Sequence, residues 1–87
     1  MTKESLIDFP CDFPVKMVGR AADEFETLVL AIVARHAPDF ETESAVSRLS
    51  RDGNFISITC TIVARSQEQL DGLYQELSDH ELVLMAL

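Results

Sequence analysis

The sequence has no tryptophan, one tyrosine, two cysteines, three glycines and three prolines. The cysteines, Cys11 and Cys60, form no C-x-x-C pair, so nothing suggests a disulfide framework. The two histidines, His36 and His80, stand far apart. A metal centre needs more ligands at defined spacing, and no metal is expected. Basic residues are scarce, at seven against fifteen acids, for a net charge of −8. Lys3, Lys16, Arg20, Arg35, Arg48, Arg51 and Arg65 are scattered along the chain. Phosphate binding needs a concentrated basic surface, so a nucleic-acid partner is excluded, and an anionic membrane surface with it. No apolar run approaches the ~20 residues of a membrane span. The first residues, MTKESLIDFP, lack a basic stretch followed by an apolar one, so no secretory signal is expected. A cytoplasmic, reducing location is expected.

What is present describes one small globular domain. The chain has 87 residues, 47% hydrophobic and 25% charged, enough for a single core and too few for two. Its most informative stretch is Phe55 to Ala64. There Ile56, Ile58, Cys60, Ile62 and Ala64 alternate with Phe55, Ser57, Thr59, Thr61 and Val63. Period two places an aliphatic row on one face of a strand and a largely hydroxyl-bearing row on the other.

The remaining elements follow in order. Residues 1–12 read as an extended arm, because Phe9 and Phe13 each precede a proline. Val15 to Val18 is a first strand, ended by Gly19. Asp23 and Glu26 form a D-x-x-E capping pattern for a helix whose core stripe is Phe25, Leu28, Val29, Ile32 and Val33. Ala37-Pro38 ends it. Phe40 to Leu49 is a polar edge strand, and Ser50 to Asn54, with Asp52-Gly53, is a hairpin turn. Ser66 and Gln69 cap a second helix with Leu70, Leu73, Tyr74 and Leu77 on its core face. Gly72 falls on the opposite side at a cost of ~1 kcal/mol. Leu82 to Leu87 is a last strand, apolar on both faces.

The order β-α-β-β-α-β is the ferredoxin-like plan, an α+β sandwich with two helices on one face of a four-stranded antiparallel sheet. Right-handed crossovers put strands one and three in the centre and strands two and four at the edges. An apolar row on strand four then faces away from the helices and invites a partner. Leu82, Leu84 and Met85 are the candidate interface, for a homodimer or for another protein.

No catalytic constellation emerges. Cys60 belongs to the aliphatic row and reads as an inert core thiol, and Cys11 has no basic neighbour to lower its pKa. The acids at Asp23, Glu24 and Glu26 suit a helix N-terminus. The one candidate ligand loop is Gly19-Arg20, which leads into that N-terminus. Neither a cofactor nor an enzymatic activity is expected.

A set of short features in order and spacing runs through nearly the whole chain from Phe9: Phe9-Pro10, Phe13, Lys16-Met17-Val18-Gly19, His36-Ala37-Pro38, Ser50 with Gly53-Asn54-Phe55 and Ser57, Leu73-Tyr74 with Leu77, and Val83 to Leu87. Together they resemble the YbeD-like family of small bacterial proteins, which commonly carries tyrosine at the position of Phe55. The resemblance implies the same βαββαβ fold and a family without an established biochemical activity. It brings no catalytic residues with it. The fold is similar to ACT-type domains that bind amino acids and regulate enzymes. In enterobacteria the family gene lies near that of the lipoate octanoyltransferase, which points towards lipoate metabolism. Two functions are therefore expected: a non-catalytic regulatory or interaction module that self-associates through its sheet, or an ACT-like small-molecule sensor.

Overall fold

The computed structural model describes residues 8–87. Four strands and two helices follow the expected order: β1 (Cys11–Arg20), α1 (Asp23–His36), β2 (Val46–Leu49), β3 (Phe55–Ala64), α2 (Gln67–Asp79) and β4 (Met85–Ala86), with a 3₁₀ turn at Thr42–Ser44 before β2. The sheet order is β2-β3-β1-β4, with every pairing antiparallel. This is the ferredoxin-like α+β fold, with β3 and β1 central.

The alternation in β3 decides which side the helices cover. Ile58, Cys60, Ile62 and Ala64 are buried, together with Val15 and Met17 of β1. Phe25, Val29, Ile32 and Val33 of α1 and Leu70, Leu73 and Leu77 of α2 close over them. Among the described residues no helix covers the opposite face of the sheet, and we call it the open face.

Several boundaries differ from the sequence reading. The arm expected over residues 1–12 lies outside the described residues from 1 to 7. Of the rest, Phe9 packs on the core, and Cys11 and Asp12 already belong to β1. That strand pairs with β3 over ten consecutive positions, from Cys11↔Ala64 to Arg20↔Phe55. The strand expected from Phe40 shortens to Val46–Leu49. Glu41, Thr42, Glu43 and Ser44 lack alternation, and they turn instead, with the Ser44 hydroxyl donating to Glu41 O at 2.7 Å. The last strand is regular only at Met85–Ala86, although the N–H groups of Leu84 and Leu87 still donate to Val18 O and Lys16 O, both at 2.8 Å.

The caps also differ. Ser66 accepts from the Gln69 N–H at 3.0 Å, as its motif predicts. The Asp23–Glu26 box does not form: Ala22 holds the N-cap position, and no side chain caps the helix. Asp23 already lies in the first turn, where its charge still complements the dipole. Gln69 does more than the motif requires. Its Oε1 accepts from the Arg65 N–H at 2.6 Å, and its Nε2 donates to His36 O at 2.9 Å, tying the start of α2 to the end of α1.

Gly72 is half-buried against α1, not turned away from it. A Cβ there would meet the His36 ring at 3.4 Å, an ordinary contact. Gly72→Ala is therefore expected to raise stability by about 0.5–1 kcal/mol through the lower backbone entropy of alanine in a helix. Urea denaturation checks this, and a loss of stability would mean that His36 has no room to yield.

Candidate functional site

Gly19 and Arg20 do not form a loop; both end β1. Gly19 is buried, and its φ is not positive, so its backbone angles do not demand glycine. Space does. A Cβ would stand 2.6 Å from Cδ1 of Phe25 and 2.8 Å from the carbonyl oxygen of Leu82. The missing side chain lets the start of α1 and the segment before β4 both close on the end of β1.

That closure makes a cleft of about 140 Å³ between α1 and the β4 segment. Phe25, Leu82 and Leu84 give it an apolar lining, and Arg20, Glu24 and Glu81 stand around it. The residues singled out from the sequence as a ligand loop and as an interface thus meet in part, since Arg20 shares the cleft with Leu82 and Leu84. Met85 does not join them. It pairs with Val18 and shares that residue's open face. Phe25, Glu24 and Glu81 are not singled out by the sequence as site residues. Phe25 reads there as a core residue, and only the Gly19 contact reveals that it also lines a cleft. The Arg20 guanidinium carbon lies 5.5 Å from the centroid of the Phe55 ring, a cation–π distance.

The titratable groups elsewhere have structural explanations. Cys60 is fully buried, and burial pushes its thiol up to about 11, which leaves it protonated and a poor nucleophile at neutral pH. His36 Nε2 lies 2.7 Å from Glu76 Oε1, while Arg35 pairs with the other oxygen of the same carboxylate. Hydrogen bonds from Arg35 and then from His36 hold Glu76 below the usual carboxylate range. His80 Nδ1 accepts from the Leu82 N–H at 3.1 Å and so shapes the turn into β4. Hydrogen bonds from the Asn54 N–H and the Ser50 hydroxyl lower the Asp52 carboxyl in the β2–β3 turn. Among the described residues no group of three or more His, Cys, Asp or Glu side chains could hold a metal ion, and no helix is long and apolar enough to cross a membrane.

The fold and its cleft define a small ferredoxin-like α+β domain with a partly apolar notch at one end of its sheet. The solution structure of protein HP0495 from H. pylori has the same fold, with a TM-score of 0.71 at 13% identity, covering 99% of this chain and 90% of that one. The chain belongs to the DUF493 family, described as a protein of unknown function, whose model matches residues 4–87. A UPF0250 protein of Nitrosomonas europaea is 52% identical over 87 residues, all of both chains. One from Neisseria gonorrhoeae is 45% identical over 85 residues, covering 98% of this chain and 93% of its own. The YbeD-like family of the sequence resemblance is this same UPF0250 family.

Proposed function

We propose that the chain is a non-catalytic interaction module that self-associates through the β4 end of its sheet. One observation carries this reading. Leu82, Leu84, Met85 and Leu87 are 40%, 54%, 51% and 61% exposed, all on the segment that forms the β4 edge of the sheet. A cluster of large apolar side chains on an edge is what a partner covers. The neighbouring cleft favours a protein partner over a sizeable small molecule. Its volume of about 140 Å³ is below the roughly 300–1,000 Å³ of ordinary ligand pockets, and suits a single anchoring side chain. Antiparallel pairing of β4 with its copy about a two-fold axis would join two sheets into one.

Light scattering across a concentration series tests this, with Met85→Lys as the comparison. The wild type is expected to dimerise, and the variant to remain a folded monomer. A wild type that stays monomeric at high micromolar concentration would rule out self-association.

A second reading rests on the charges of the cleft. Arg20 beside Glu24 and Glu81 offers a partner to each end of a small zwitterion. An ACT-like sensor of a small amino acid would use that pattern, and a thermal-shift screen against amino acids tests it, since a ligand of the native state raises its stability.

A further inference from the structure

The bases that look scattered in the sequence are gathered by the sheet. Register places Lys16 and Val46 beside Thr59 on adjacent strands, Val18 and Arg48 beside Ser57, and Arg20 beside Phe55. All of these side chains belong to the open face. Lys16, Arg20 and Arg48 are the basic residues of the four strands, and Asp12, towards the far end of β1 opposite Val63, is their one acid. The ion pairs among the described residues use Arg35, His36 and Arg65, none of them a strand residue. In a chain of net charge −8, the part of the open face around Phe55, Ser57 and Thr59 is therefore cationic, while Asp12, Asp39 and Glu41 stand at the other end beside Thr61 and Val63.

Between Lys16 and Arg48 lies a shallow depression of about 150 Å³, completed by Val46, Ser57 and Thr59. It presents two cations and two hydroxyls, and among the described residues no carboxylate lines it. Val18, Met85 and Val46 supply apolar surface around it, with Val46 65% and Met85 51% exposed.

We propose that the open face binds an acidic, amphipathic segment of another protein, with a carboxylate seated between Lys16 and Arg48. Charge complementarity selects this occupant. A second copy presenting the same face would set like charges against each other, which is costly at an interface. A nucleic acid would meet three cations on a chain that otherwise repels it, too few for a phosphate track. An acidic segment with aliphatic residues between its carboxylates matches both the cations and the apolar surface around them. This inference extends the interaction-module reading to the open face, which shares Arg20 with the cleft and Met85 with the β4 edge; the Lys16 and Arg48 side chains belong to neither, so charge reversal there leaves the cleft and the edge residues unchanged and the two ideas can fail separately.

The test titrates ¹⁵N-labelled protein with a short peptide of alternating glutamate and leucine, and with a control carrying glutamine for glutamate. Fluorescence anisotropy of the labelled peptide gives the affinity. The expected result is amide shifts concentrated around Lys16, Arg48, Ser57 and Thr59 with the acidic peptide alone. The Lys16→Glu/Arg48→Glu variant, with an unchanged circular dichroism spectrum, is expected to bind roughly tenfold or more weakly. Both substitutions lie at exposed strand positions, and single charge reversals replace the pair if it fails to fold. Four outcomes would overturn the proposal: no binding, equal binding by the folded variant, tighter binding of a single-stranded oligonucleotide of equal charge, or the same shifts on simple dilution, which would assign the face to a second copy.

Discussion

Gly19→Ala is expected to lower the unfolding free energy by about 3 kcal/mol, at the upper end of overpacking penalties. For a domain of this size that is a fall of about 15 °C in the thermal midpoint. The new methyl group has nowhere to go. On one side is the ring of Phe25, which is 2% exposed and held by the core. On the other is the Leu82 carbonyl, a backbone atom that moves only if the turn into β4 moves with it. Adding Phe25→Leu to the same chain is expected to recover only part of the loss, because the carbonyl remains. Gly53→Ala gives the contrast. Gly53 has φ of +79° with open space around it, so its cost of about 1 kcal/mol is conformational instead of steric. Urea denaturation of the three variants checks both values and the partial recovery. A Gly19→Ala loss below about 1 kcal/mol would mean that α1 and the β4 segment do not close on β1 as described.

Ile58→Ala is expected to cost about 3 kcal/mol, as a large aliphatic side chain leaves a cavity that the core only partly fills. Ile58 is fully buried, with Met17 of β1 on one side and Ser47 of β2 on the other. Thr61→Ala, on the other face of the same strand and exposed, is expected to cost well under about 1 kcal/mol. Chemical denaturation of the two variants measures the sidedness of β3. Similar losses would mean that the open face is covered in the folded protein.

That sidedness is what the sequence displayed most clearly. Strict alternation from Phe55 to Ala64 identified the strand and its inward row, Cys60 included, because a period of two has no helical counterpart. The helix stripes were legible for the same reason. The length of β1 was not, since Asp12, Pro14, Lys16 and Arg20 break up its apolar residues. Pro14 also argues against a central strand, and the structure removes that objection. The Lys16 N–H donates towards β4, and the nitrogen of Pro14 points the same way, but β4 reaches no further along β1 than Lys16. Pro14 therefore sits where β1 is locally an edge.

The sites were legible only in fragments. Gly19 stood out as the end of a strand and the start of a candidate loop, but what closes on it comes from Phe25 and, sixty-three residues along, from Leu82. Lys16 and Arg48 are thirty-two residues apart, and only the shared register with β3 brings them together. Long-range register is information that local pattern does not hold.

The unequal grip on β1 has a consequence for how the molecule opens. Ten paired positions hold β1 to β3, and two hold it to β4. Sub-global opening should follow that inequality, with the β4 segment detaching at a lower free energy than the β1–β3 pair, whose amides exchange with solvent only when the whole domain unfolds. Each such excursion would uncover the outer side of β1 and part the wall of Leu82 and Leu84 from Phe25. Access to the cleft would then be governed by the lifetime of a two-residue strand.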